Sequence, residues 1–194
     1  MPIQTSGTTF EPSRSRAPEE LYDEPHWYAC QTRARHEKKV DSLLRRQKIE
    51  SYLPVAPRVS QWKDRRKSVE WPLFPGYVFA RFTLSMLGRL LSTHGVVSVV
   101  SLRGYPAVIP ASEIESVRLL VASLGQAGCV EMEPAPQFNA GERVKVVGGP
   151  FDGVEGTVVE RREGRRVLVG IRVIGQALQV DVGTASLVVV SPPS

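Results

Sequence analysis

Apolar and polar positions along the chain change period several times, and each change marks an element. After an opening stretch rich in Ser, Thr, Pro and acid, WYACQT reads as a short strand. HEKKVDSLLRRQK then shifts to helical spacing. Val40, Leu43, Leu44 and Gln47 recur on one side, with Arg35, Lys38, Lys39, Arg45 and Arg46 on the other. SYLPVAPRV is a strand interrupted by Pro54 and Pro57, which suits an edge or a bulge. QWKDRRKSVEW predicts a projecting basic hairpin between two tryptophans. In LFPGYVFARF, Pro75, Tyr77, Phe79 and Arg81 alternate with Phe74, Gly76, Val78, Ala80 and Phe82, a strong strand signal. A short helix around Met86–Leu91, strands near Val96–Ser101 and Pro106–Ile109, and a closing helix follow. That helix has Ser112 and Glu115 in capping-box register, buries Ile114, Val117, Leu120, Val121 and Leu124, and is expected to stop at Gly125.

Residues 125–137 are small, acidic and proline-bearing, as in a linker. Beyond them the pattern becomes short Val-rich strands separated by glycine turns. About five strands in so short a stretch bury a core only by closing on themselves, so a small SH3-like barrel is expected. The chain thus divides into a flexible tail (1–25), an α+β sandwich with an antiparallel sheet (26–124), a linker (125–137) and an all-β unit (138–194).

Composition narrows the class. Of 194 residues, 42% are hydrophobic and 23% charged, a balance that excludes a mostly disordered chain. No apolar run approaches the ~20 residues of a membrane span, and the opening residues lack the apolar core of a secretory signal, so a cytoplasmic, membrane-free protein is expected. Cys30 and Cys129 alone, with His26, His36 and His94 scattered, predict neither a disulfide framework nor a metal site. The net charge of +5 is unevenly spread. Residues 27–72 hold twelve Lys and Arg against five Asp and Glu, a net of +7, whereas residues 138–194 carry only +1. One basic face toward an anionic partner is the implied arrangement.

Catalytic motifs are missing from the sequence: there is no nucleophile elbow, phosphate loop, zinc-protease helix or dinucleotide fingerprint. GGPFDGVEG sits between two strands and reads as a hairpin with glycines at positive-φ positions. A non-enzyme with no cofactor is expected. The more informative segment is LFPGYVFARF, whose two faces are both apolar although an antiparallel sheet needs one apolar face for its own core. Either helices cover both faces, or the row Pro75, Tyr77, Phe79 faces a partner. Lys63, Arg65, Arg66 and Lys67 read as a solvated hairpin tip or as phosphate contacts. Arg33, His36 and Lys39 recur at i, i+3 and i+6 around the start of the first helix, so one face is able to meet a nucleic-acid backbone.

WYACQTRARHEKKV, PLFPGYVFARF and GVVSVVSLRGYPAVIP before a helix resemble the amino-terminal (NGN) domain of the NusG family of transcription elongation factors. AGERVKVVGGPFDGVEGTVVE with GIRVIGQALQVDV is similar to that family's KOW domain, and the resemblance covers about residues 26–190. It implies a monomer that docks on the clamp helices of RNA polymerase through Phe74, Pro75, Tyr77 and Phe79. It also implies contact with the non-template DNA strand through Arg33, His36, Lys39, Arg89 and His94. The KOW domain would recruit the ribosomal protein NusE or the termination factor Rho, with Phe151 and Ile174 as its partner-binding residues. TRARHEKKV, QWKDRRK and PLFPGYVFARF resemble the specialised antitermination paralogues of long biosynthetic operons more than housekeeping NusG. The alternatives are a housekeeping factor acting with Rho and an RNA- or ribosome-binding KOW protein. Ile174 stands where housekeeping KOW domains usually carry an aromatic, which bears on NusE and Rho contact but not on the fold. One relative in the family refolds its KOW domain into helices; the Val-rich, glycine-punctuated pattern here predicts strands throughout.

Overall fold

A computed structural model describes residues 19–62, 65–127, 131–134, 142–161, 164–182 and 185–190. Residues 1–18 of the expected tail, Lys63, and residues 128–130 (Cys129 among them) and 135–137 of the expected linker lie outside them. Order begins before residue 26: a single turn, α1 (Glu20–Asp23), brings Leu21 against the core. The first sheet has the order β2-β5-β1-β6, from β1 (His26–Thr32), β2 (Glu50–Tyr52), β5 (Tyr77–Phe82) and β6 (Val96–Val99), with every pair antiparallel. SYLPVAPRV is divided at Leu53-Pro54. Its first part is β2, and the rest extends into β3 (Val55–Trp62), which pairs with β4 (Arg65–Pro72) as a long hairpin. LFPGYVFARF is strand only from Tyr77, because Gly76 turns the chain at φ +84.

Helices cover both faces of the sheet. On one side α2 (Glu37–Arg46) and α3 (Leu87–Leu91) place Val40, Leu44 and Leu90 over Tyr28, Cys30, Val78, Ala80 and Phe82. On the other, α4 (Ala111–Ala127) places Ile114, Val117 and Leu120 over Trp27, Ala29 and Phe79. The helix starts one residue before Ser112 and runs past Gly125; Glu115 pairs with Arg118 at 3.6 Å, its expected capping role replaced by an i,i+3 ion pair. Arg118 fastens α4 to the sheet. Its guanidinium lies 5.3 Å from the Trp27 ring and 5.1 Å from that of Tyr52, and it also pairs with Glu50 at 3.6 Å. A two-residue hairpin, β7 (Ser101–Leu102) with β8 (Tyr105–Pro106), links β6 to this helix.

The rest is a six-stranded antiparallel sheet in the order β14-β10-β11-β12-β13-β9. Five of these strands fall where the valine runs do: β10 (Arg143–Val147), β11 (Glu155–Arg161), β12 (Gly164–Ile171), β13 (Gln176–Asp181) and β14 (Ser186–Val189). The sixth corrects the linker expectation. β9 (Glu131–Pro134) lies inside the stretch expected to be a tether, and it pairs along β13. Backbone pairing there does not depend on apolar alternation, which is why EMEP gave no strand signal. α4 packs against β11 and β12, and one continuous apolar core runs from Phe79 through Ile114 and Leu120 to Val144, Val169 and Leu178. Among the described residues no helix is long and apolar enough to cross a membrane.

Candidate docking surface and nucleic-acid face

β5 carries the segment with two apolar faces, and its register decides what each side chain meets. Ala29 stands opposite Phe79, and Tyr52 flanks it from β2, so Phe79 points toward α4. It is 0% exposed, and Phe74, in edge-to-face contact at 5.5 Å, is 1% exposed. The expectation that these two rings face a partner is therefore corrected: a helix covers the second face of the strand, and both rings belong to the protein's own core. Pro75 is exposed and Tyr77 half-buried, so the outward part of the row is confined to the turn and the first strand residue.

That turn is pinned from behind. The Gly76 N–H donates to Glu37 Oε1 at 2.8 Å, and the Gly76 carbonyl accepts from the Thr32 N–H at 2.8 Å. Glu37 is a buried carboxylate at the first position of α2. It joins the turn to the helix that begins beside Arg33 and His36. The sequence reading missed Glu37, since one acid in a helix's first turn reads as ordinary dipole compensation. It also missed Trp71 and Val69, which are 47% and 39% exposed on β4. Trp71 pairs with Ala56, whose side chain packs on the same core as Tyr52 and Tyr77, so the hairpin's exposed apolar face lies on the docking side of the sheet. The signal was present in the alternation Val69-Glu70-Trp71.

The five proposed DNA-contact residues are only partly gathered. The His36 and His94 rings stack at 5.8 Å with planes 16° apart. The Arg33 N–H donates to the Gly95 carbonyl at 2.9 Å, which brings the start of α2 against the loop after α3. Gly95 permits this approach: at its φ of +100 an added Cβ would sit 2.9 Å from Val40 Cγ2 and 3.3 Å from His36 Cβ. Lys39 is exposed on α2, one turn beyond His36. Arg89 is exposed on α3, where no described contact joins it to the other four. Neighbouring cations are neutralised within the fold, Lys38 by Glu70 at 3.5 Å and Arg45 by Asp41 at 3.0 Å. Arg33, Lys39 and Arg89 have no ion pair among the described residues. Arg65, Arg66 and Lys67 fall on β4, next to the undescribed residues of the hairpin tip.

In the second unit Phe151 is 4% exposed, which corrects its expected place on a partner-binding surface. Its turn has the positive-φ glycines expected of a hairpin, Gly148, Gly149 and Gly153, and Asp152 Oδ1 accepts the Gly148 N–H at 2.7 Å. Ile174 is half-buried at the end of a 3-10 turn, before Gly175 in the left-handed region.

A four-stranded antiparallel sheet between helices, followed by a KOW-like all-β region and presenting a proline-glycine turn beside a basic helix start, is the architecture of a transcription factor with an NGN domain. The family model described as transcription termination factor nusG matches residues 25–118. Across 175 residues the chain is 26% identical to the transcription termination/antitermination protein NusG of Borreliella burgdorferi, covering 80% of this chain and 94% of that one. It is 29% identical over 172 residues to the NusG of Vibrio cholerae, covering 80% and 90% respectively. Among solved structures, one of Thermotoga maritima NusG, titled for its domain interaction, aligns over 87% of this chain and 94% of that one at 22% identity and a TM-score of 0.41. Residues 25–118 thus carry a NusG-type domain, in a chain similar over four-fifths of its length to bacterial transcription termination/antitermination NusG proteins.

Proposed function

We propose that this protein is an operon-specific elongation factor of the antiterminating kind, working in the cytoplasm by equilibrium binding. NusG-family proteins bind RNA polymerase. Here the docking surface is assigned to Pro75 and Tyr77, extended by Val69 and Trp71 on the hairpin. Phe74 and Phe79 form the packed floor beneath it and make no outward contact. The observation that carries this reading is the exposed apolar strip left on the α4 side of the sheet after Phe79 is buried, held in place by the Glu37–Gly76 hydrogen bond. Aromatic side chains of this kind anchor interfaces because they bury much area at little rotamer cost.

Arg33, His36, Lys39, Arg89 and His94 are assigned to the non-template DNA strand. Unpaired cations around a stacked imidazole pair favour a phosphate backbone with bases that stack. The all-β unit is assigned to a protein partner, NusE or Rho, through Ile174, half-buried beside the left-handed Gly175, with Phe151 left in the core beneath its turn. The deciding experiment is capture of bacterial RNA polymerase by the full chain carrying Tyr77→Ala together with Trp71→Ala. Loss of capture by a chain that still unfolds in one cooperative transition supports the assignment. Capture at the wild-type level would place polymerase docking elsewhere.

A further inference from the structure

The outer face of α2 leads away from the helix start into a groove that neither docking nor the five assigned DNA contacts employ. Lys39, Ser42 and Arg46 recur at i, i+3 and i+7, so they form one stripe along the helix, and all three are exposed. From Lys39 to Arg46 the stripe advances about 10 Å. It ends in a groove of about 600 Å³ between α2 and the base of the β3–β4 hairpin. Lys38, Ser42, Arg45 and Arg46 line the helical wall, and Glu70 stands on the hairpin side. Leu53 and Val55, both half-buried, supply its apolar lining.

The charged groups there are not equivalent. Arg45 is committed to the fold: it pairs with Asp41 at 3.0 Å and donates to the Ser51 carbonyl at 3.4 Å, while Asp41 also accepts the Ser51 hydroxyl at 2.7 Å. Lys38 and Glu70 meet at 3.5 Å with side chains 54% and 67% exposed. A pair so open to water contributes little, so a phosphate replaces Glu70 on Lys38 at small cost. Arg46 has no ion pair among the described residues. Glu70 alternates along β4 with Val69 and Trp71, so the groove and the apolar docking strip lie on opposite faces of the hairpin and do not compete. Single-stranded DNA matches this arrangement, with cations along a groove for its phosphates and an apolar lining for its sugars and bases. We infer that this groove continues the non-template DNA path beyond the start of α2, with Arg46 and Lys38 as phosphate contacts and Glu70 as the carboxylate that DNA displaces. This rests on the reading above that Lys39 meets the same strand.

The test measures binding of a single-stranded DNA oligonucleotide by the full chain across a salt series. Arg46→Gln should flatten the dependence of log K on log salt by about 0.7, the amount expected for one lost phosphate contact. Glu70→Gln should tighten binding about twofold to fivefold by releasing Lys38. Adding Lys38→Gln to Glu70→Gln should abolish that gain. Polymerase affinity measured without DNA should stay the same in all three. A wild-type salt slope in Arg46→Gln, beside a flattened one in Lys39→Glu, would overturn the groove and leave the contact at the helix start standing. Wild-type slopes in both would overturn the DNA assignment of α2, and the groove with it. A gain that persists in the double variant would come from net charge alone and would overturn the displacement of Glu70. An RNA oligonucleotide of the same sequence that depends on Arg46, when the DNA does not, would hand the groove to RNA and overturn the DNA path.

Discussion

Tyr77 and Phe79 stand two residues apart on one face of β5, yet only Tyr77 reaches solvent; Phe79 is sealed between Ala29 and α4. The two positions should therefore fail in different ways. Phe79→Ala removes a ring from a close-packed core and should cost about 3–5 kcal/mol of folding stability. Tyr77→Ala, at a half-buried position, should cost clearly less, about 1 kcal/mol, and weaken polymerase binding by about tenfold or more. Paired urea titrations and polymerase-binding isotherms check both. Equal stability losses would mean that Tyr77 is a core residue and not a contact.

Charge reversal on the DNA face should separate from docking. Arg33→Glu and Lys39→Glu are each expected to weaken binding of a single-stranded non-template oligonucleotide. Neutralising one phosphate contact should flatten the dependence of log K on log salt by about 0.7. Polymerase affinity measured without DNA should hold steady. A salt slope identical to that of the wild type in both variants would remove these residues from the DNA assignment.

Alkaline pH should destabilise the fold through Cys30 before any other described thiol or phenol. Burial pushes its thiol from 9.0 up to about 12, and burial likewise pushes the Tyr52 phenol from 10.0 up to about 12, opposed by Arg118. In both cases the neutral form is the one favoured in the folded state. The unfolded chain loses these protons first, so it binds fewer protons than the folded chain above pH 9. The stability these groups allow is intact below that pH and declines as it rises toward 12. The decline from Cys30 approaches about 1.4 kcal/mol per pH unit. Denaturant melts from pH 8 to 11 measure it, and Cys30→Ala should flatten the segment below pH 10.

Gly95→Ala tests the join between α2 and the loop after α3. The methyl group would strike Val40 Cγ2 at 2.9 Å, on a backbone at φ +100 that suits glycine alone. A loss of about 1–3 kcal/mol is expected. The imidazole resonances of His36 and His94 should shift together, and oligonucleotide affinity should fall with them. Resonances that stay in place would show that the ring stack does not depend on this contact.

The elements of both units are largely legible in the chain, because valine alternation and helical spacing report burial directly. The shape of LFPGYVFARF is legible too, but not what covers its second face. A row of Tyr77 and Phe79 has the same pattern whether it meets a partner or α4, and that choice depends on the distant Ile114, Val117 and Leu120. Glu37 was hidden for a related reason. Its task is set by the Gly76 N–H, thirty-nine positions away, and nothing local distinguishes it from a helix-start acid. EMEP gave no sign of β9, since a strand formed by backbone pairing with the distant β13 has no local signature. Phe151 looked like a surface anchor for want of any way to see α4 lying over its turn.

The incorporation of Glu131–Pro134 into the β unit sets the length of the leash between the two halves. From Ala127 to Glu131 the backbone makes four steps, about 14 Å at full stretch. If β9 peels away from β13, the free path runs from Ala127 to Arg143 and reaches about 55 Å. With β9 paired, that short path keeps the β unit beside α4, against which it packs. Four residues that pair edge to edge with β13 thus set how much backbone separates α4 from the β unit.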